Sequence, residues 1–451
     1  MSLFTPFKRF TAGVGTVLLL ALVSPLAATP ADAVEIQEVT SPGGITAWLV
    51  QDKTVPMIAM EFAFQGGSAV DPKDRQGLAN FLSTMLDEGA GDLDSQAFQK
   101  ALETSAVKLS FDADQDNFSG SLKTLAANRD EAFRLLKLAL NAPRFDAAPI
   151  ERMRAQLLVS LQNRAKDPEH IASSNWMKLA FGDHPYANNS DGTIEGITAV
   201  QAEDLRSLKD KLFTRAGLKV AVVGDIDAEA LGTALDSIFG ALPDDTRLPE
   251  VAEVKVEQGP TIKVIDYDIP QSVIQFGAQG LKRNDPEFIP TYVMNYILGG
   301  GGFGSRLVEE VREKRGLSYS VYSYLWPLKH AGLMVGGAAT RNDRAAETVK
   351  IIEAEVKRMA DQGPTEQELA DTKTYLTGSY ALRFDSNSKI ANELLGIQLE
   401  NLGIDYINKR NEMVEAVSIE DVREAAKRLL GPGKLLFTLV GKPTNVAGTE
   451  G

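Results

Sequence analysis

The chain contains no cysteine, so disulfides, thiolate metal sites and cysteine nucleophiles are excluded together. Histidine is almost as scarce. Among 451 residues the only three are His170, His184 and His330, and no two of them stand at the spacing with which a helix presents a pair of metal ligands. The contexts KDPEH and GDHPY read as loops or turns, and all three histidines read as structural. Basic runs are missing as well. With 47 Lys and Arg against 61 Asp and Glu, the net charge is −14, which argues against a nucleic-acid partner. Beyond the first 33 residues no stretch approaches the roughly 20 apolar residues of a membrane-spanning helix. What is present is a 44% hydrophobic, 24% charged composition, that of a globular chain long enough for two or three domains.

The one long apolar run is N-terminal. Lys8 and Arg9 precede it, it extends from about Thr11 to Ala28, and Ala31-Asp32-Ala33 supplies an A-x-A cleavage site. This is the layout of a secretory signal. It predicts that residues 1–33 are removed, that the mature chain begins near Val34, and that the protein is exported to the periplasm with no membrane span remaining; an uncleaved anchor is the alternative, since the run is long for a signal core.

Two stretches of the chain repeat each other. VPMIAMEFAFQGGSAVDP (Val55–Pro72) and IPQSVIQFGAQGLKRNDP (Ile269–Pro286) share Pro56/Pro270, Phe62/Phe276, Gln65/Gln279, Gly66/Gly280, Asp71/Asp285 and Pro72/Pro286, each pair 214 residues apart. AVQAEDLR at Ala199 and AVSIEDVR at Ala416 are 217 apart, as are the glycines closing VAVVG and FTLVG, Gly224 and Gly441. The chain therefore reads as a tandem duplication. In the first copy Ile45–Leu49 and Ile58–Phe64 are strand-like, Leu78–Leu86 is helical, Val107–Asp112 and Phe118–Leu122 form a hairpin, and helices follow at Ala127–Leu140 and Ala148–Arg164. Strands segregated from helices predict an α+β domain, a sheet with helices on one face. The polar, proline-bearing stretch Gly240–Pro260 marks the join. The expected organisation is a signal at 1–33, a first domain at 34–242, a linker at 243–258 and a second domain at 259–447.

Ile297–Trp326 carries the densest local pattern. Gly299, Gly300, Gly301 and Gly302 free the backbone for close approach and positive φ. Ser305 stands where it can cap a helix whose apolar residues are Leu307, Val308 and Val311. Gly316 stands where such a helix would end, and alternation from Leu317 predicts a strand. Arg312 and Tyr319 then fall on either side of one turn, where a guanidinium and a phenol could both donate to a carbonyl oxygen gaining charge. An ordinary helix–strand joint would give the same spacing. A phosphate cradle is disfavoured, because no Lys-Ser/Thr follows the glycines.

With these stretches in hand, the chain resembles the pitrilysin/insulinase (inverzincin) family of zinc peptidases, which includes the mitochondrial processing peptidase and its bacterial relatives, over essentially the whole mature length. The resemblance implies two domains of the LuxS/MPP-like metallohydrolase fold, together forming half of a clam-shaped chamber. The family's first domain carries H-x-x-E-H on a helix, two His binding zinc and the Glu acting as base, with a downstream Glu as third ligand. At those positions this chain has Asn80, Ser83 and Thr84, with Ser160 where the downstream Glu would be. Neutral Asn, Ser and Thr are poor zinc ligands and none can serve as a carboxylate base. No cofactor is therefore expected in this chain.

The second half keeps the family's other element. Arg312 and Tyr319 match the Arg and Tyr, seven residues apart, that help hold substrate at the zinc. Gly299–Gly302 and Phe303 resemble the glycine-rich, substrate-contacting loop of the non-catalytic processing-peptidase subunit. The resemblance thus implies a non-catalytic, peptide-binding subunit of an exported two-chain metallopeptidase, whose H-x-x-E-H partner carries the zinc and receives Arg312 and Tyr319 in trans. A non-enzymatic scaffold, or a peptide-capture protein of the same fold, is the alternative.

Overall fold

The structure, a computed structural model, describes residues 35–245, 248–256, 261–446 and 448. The expected export signal lies outside these residues.

Among the described residues eleven strands form two sheets. The first contains β1 (Gln37–Thr40), β2 (Thr46–Gln51), β3 (Met57–Gln65), β4 (Lys108–Ala113), β5 (Asn117–Leu125) and β6 (Lys219–Gly224), in the order β1-β2-β6-β3-β5-β4. The second contains β7 (Thr261–Asp266), β8 (Gln271–Gln279), β9 (Ser318–Pro327), β10 (Gly332–Arg341) and β11 (Leu436–Gly441), in the order β7-β11-β8-β10-β9. One neighbouring pair in each sheet is parallel, β2–β6 and β7–β11. The other pairings are antiparallel.

The repeat read from the sequence is a repeat in space. Strands β3 and β8 share both bounds at an offset of 214, and β6 and β11 do so at 217. Phe62 faces Gly120 on one neighbour and Val220 on the other, while Phe276 faces Gly336 and Phe437. The glycines have a reason. A Cβ on Gly120 would stand 2.2 Å from Cζ of Phe62, and one on Gly336 would stand 2.3 Å from Cζ of Phe276. In each half a buried phenylalanine ring fills the place of its neighbour's side chain.

Helices from the same half cover one face of each sheet, as expected. The opposite face is not left to solvent. β6 and β11 are apolar and buried almost throughout, the signature of a strand covered on both sides, and the second cover comes from the other half. Helix Pro168–Phe181 of the first half packs on β8 and β11, and helix Asn387–Leu399 of the second packs on β3 and β6. Trp176 Nε1 donates to the Leu436 carbonyl at 3.1 Å, and Gln398 Nε2 donates to the Val220 carbonyl at 2.9 Å, both bonds buried. The join is also fastened. Val254 N–H donates to the His330 carbonyl and Val256 N–H to Oε1 of Gln279.

The three histidines are each held by protein groups. His170 lies within helix Pro168–Phe181, not in a loop, because Asp167 caps and Pro168 begins a helix there. Its Nε2 meets Asn189 and Ser174. His184 Nε2 lies 3.0 Å from the Ala252 carbonyl, and His330 Nδ1 lies 3.3 Å from Glu253. Among the described residues no helix is long and apolar enough to cross a membrane.

Candidate functional site

In the first half, the helix bearing the H-x-x-E-H positions is short, Leu78–Ser83, and stops before the Leu86 expected from the sequence. Ser83 Oγ donates to the Asn80 carbonyl and Thr84 Oγ1 to the Phe81 carbonyl, each 2.8 Å. Hydroxyls bonded three residues back compete with the helix's own ladder, and the chain continues in turns. Asn80 Nδ2 donates to the Asp191 carbonyl. Ser160 is exposed on helix Ala147–Arg164. The donor set does not fit zinc: it has no imidazole and no carboxylate, and the hydroxyls of Ser83 and Thr84 are turned into local backbone. Among the described residues no group of three or more His, Cys, Asp or Glu could hold a metal.

The second half assembles its residues. After helix Phe288–Asn295 the chain makes a π-turn, Tyr296–Gly300, then a short 3-10 turn, Gly302–Gly304. Gly299 permits this turn to press onto β9, since a Cβ there would stand 2.4 Å from Ser323 Oγ. Gly302 takes φ +56, the left-handed region glycine favours. The other glycines of the run do not need positive φ. Ser305 is extended at the helix start as expected, and its carbonyl accepts from Glu309 N–H. Its hydroxyl, however, donates back to the Gly302 carbonyl instead of capping the helix.

The helix that follows is wound as a π-helix over Val308–Glu313, which spacing alone did not reveal; such segments concentrate at functional sites. Its buried side is Leu307, Val308 and Val311. Gly316, at φ +58, ends it. A bulge then interrupts the alternation read from the sequence. Between the pairs Ser318↔Thr340 and Val321↔Ala338, β9 has one more residue than β10. Tyr319 and Ser320 are therefore both exposed between the buried Ser318 and Val321. Bulges re-aim side chains, and this one turns Tyr319 outward until its side chain is 84% exposed.

Arg312 and Tyr319 do meet. The guanidinium carbon of Arg312 lies over the Tyr319 ring at 4.7 Å, and over the Phe303 ring of the glycine loop, also at 4.7 Å. Arg312 Nε is 3.3 Å from Glu313 Oε1. Glu309 and Glu310 are engaged by Lys314 and Arg315.

Behind the loop lies a cleft of about 1000 Å³ between helix Phe288–Asn295, β9 and helices Glu366–Gly378 and Asn387–Leu399. Seven of the chain's ten tyrosines line it, with Arg283, Arg383 and Arg410. Tyr322 and Tyr324 stack on its β9 wall, and Tyr296 meets Tyr375 across it. Burial pushes the Tyr296 phenol up, aided by Tyr375. Burial also raises Glu400 on the cleft wall, which Arg283 opposes. The cleft was not foreseen, though a signal existed: nine of the ten tyrosines fall at Tyr267 or later.

Residues 47–193 match the family model described as insulinase (peptidase family M16), and residues 199–376 match that of the peptidase M16 inactive domain. The chain is 28% identical over 391 residues to the non-peptidase homolog YmxG of Helicobacter pylori, covering 86% of this chain and 90% of that one. It is 29% identical over 287 residues to an uncharacterized zinc protease of Streptomyces coelicolor, covering 62% of each. A crystal structure of a peptidase M16 inactive domain from Pseudomonas fluorescens superposes with a TM-score of 0.85 at 29% identity, over 92% of this chain and 99% of that one. A protease from Helicobacter pylori shares the fold at a TM-score of 0.82 and 17% identity, over 90% and 100% of the two chains.

Proposed function

Because the chain belongs to the insulinase (peptidase M16) family as a non-catalytic member of it, we propose that it is the substrate-binding subunit of an exported two-chain peptidase. Its two domains form half of the chamber, and its partner bears H-x-x-E-H. The zinc that polarises the scissile carbonyl and supplies the attacking water is the partner's. This chain binds the peptide along the glycine loop, Gly299–Gly302 and Phe303, and presents Arg312 and Tyr319 in trans. The phenol and the guanidinium donate hydrogen bonds to the substrate carbonyl oxygen as it gains charge.

One observation carries this reading. Arg312 and Tyr319 are packed together on an exposed rim, while Asn80 Nδ2 and the hydroxyls of Ser83 and Thr84 donate to backbone carbonyls. The tyrosine-lined cleft favours a second reading, a protein that captures peptides and does not help cleave them. Co-purification from the source organism, followed by a peptidase assay with and without the co-purifying chain, separates the two. The proposal expects an H-x-x-E-H protein in the complex and hydrolysis only when both chains are present. Hydrolysis by this chain alone, or a peptide-binding chain with no such partner, would contradict it.

A further inference from the structure

We propose that Phe303 is a positioning residue, and that Phe303, Arg312 and Tyr319 together form a clamp for a carboxylate of the bound peptide; this rests on reading Arg312 and Tyr319 as a substrate-contacting pair. A guanidinium has two flat faces and a rim of N–H donors. Here two aromatic rings crowd the group, each centroid 4.7 Å from the guanidinium carbon. Among the described ring pairs Phe303 and Tyr319 do not meet each other. The N–H groups of Arg312 are what is left for a ligand.

The rim is nearly free. Nε is 3.3 Å from Glu313, and neither terminal nitrogen has a hydrogen-bond partner among the described residues, although the side chain is only 29% exposed. Two terminal N–H groups in one plane match the two oxygens of a carboxylate, where a single carbonyl oxygen would engage only part of the fork. The two neighbouring rings limit the positions the guanidinium can take. Glu313, 54% exposed, already shows a carboxylate at the edge of this rim. A pair that open is weak, so a peptide carboxylate can displace it.

Phe303 has no packing role that would explain it otherwise. Its side chain is 74% exposed, on a turn that Gly302 allows by its positive φ. It touches Arg312 from the tip of the loop. The carboxylate can come from an acidic side chain or from the peptide's own C-terminus.

The test is fluorescence anisotropy with the full chain and four labelled decapeptides of one sequence. They carry Asp or Asn at one central position, each with a free or an amidated C-terminus. We expect a carboxylate-bearing peptide to bind about tenfold tighter than the Asn amide, and the four arms say which carboxylate is used. In Arg312→Lys, which keeps charge and loses the fork, and in Phe303→Leu, which keeps an apolar side chain and loses the ring, the preference should fall to about threefold or less. Glu313→Gln, which removes the internal competitor, should strengthen it. Equal binding of all four peptides, or a preference that survives both Arg312→Lys and Phe303→Leu, overturns this proposal and leaves the substrate-binding reading standing. No binding of any of the four at millimolar concentration overturns both.

Discussion

Trp176, from the first half of the chain, is buried against the second sheet and donates its indole N–H to the Leu436 carbonyl there. Gly277 in β8 leaves it room, because a Cβ at that position would stand 2.6 Å from Cζ2 of the indole. The second half reciprocates through Gln398 and Val220. Each sheet therefore lacks its second cover when the halves are separated. Trp176→Ala should cost about 3–5 kcal/mol, read as a lowered denaturant midpoint, with both halves unfolding in one transition. Residues 35–245 and 248–448 produced separately should each fail to give a cooperative melt, and should recover one when mixed. Independent, fully cooperative melting of either part would contradict the exchange.

The glycine loop offers an internal contrast. Gly299→Ala would push a methyl group into Ser323 on β9 and should cost about 1–3 kcal/mol through overpacking, weakening peptide binding at the same time. At Gly304 no atom lies within 4 Å of an added Cβ and φ is not positive, so Gly304→Ala should be neutral or slightly stabilising. Thermal melts of the two variants side by side check the difference.

Acid should attack the fastening of that loop. Arg306, 6% exposed just past the glycines, makes a two-pronged pair with Glu368 at 2.6 and 2.7 Å. Burial pushes the Glu368 carboxyl up, but the Arg306 fork, with Thr365 N–H and hydroxyl, more than reverses this and holds it at about 2. The folded value lies below the ordinary 4.5, so this contribution to stability is complete above that pH and is lost as pH falls toward 2. Glu368→Gln should flatten the decline over that window and lower stability at neutral pH by about 3 kcal/mol, since it leaves a buried guanidinium without its counter-charge, held only by neutral acceptors such as the Gly363 carbonyl. Urea unfolding across pH measures both.

Zinc should not bind this chain stoichiometrically. Elemental analysis after dialysis against metal-free buffer should find none, and the combined Asn80→His, Ser83→Glu, Thr84→His and Ser160→Glu variant should remain far less active than the two-chain complex. Its helix ends at Ser83, short of position 84, and new ligands without neighbouring groups to orient them bind metal weakly. A zinc-loaded wild-type chain would contradict the donor-set argument.

How much of this was legible in the sequence depends on the kind of signal. The duplication was, because a strand in a fixed register keeps its spacing: Phe62 and Phe276 recur with their glycine neighbours in both sheets. The meeting of Arg312 with Tyr319 was legible through the turn at Gly316. The π-winding of Val308–Glu313 and the bulge at Tyr319 were not, because each adds a single residue to a local pattern and is fixed by packing against Thr340 and the core. The exchange of helices was hidden too. Helix Pro168–Phe181 has little amphipathic contrast, and its apolar face answers to a sheet hundreds of residues away. Phe303 was noticed only as part of a loop. That it lies on Arg312 is a tertiary fact.

The proposed action of Arg312 and Tyr319 on substrate in a partner's active site is tested most directly by kcat and KM of the reconstituted two-chain complex carrying Tyr319→Phe. The phenol is exposed, so its loss should leave assembly and melting unchanged, and the ring remains to stack on Arg312. The account predicts normal complex formation with kcat lowered on the order of a hundredfold, the loss of one donor to a developing oxyanion. Arg312→Ala should in addition raise KM. Full activity with Tyr319→Phe and Arg312→Ala combined would contradict the account and leave this chain a scaffold or a capture protein.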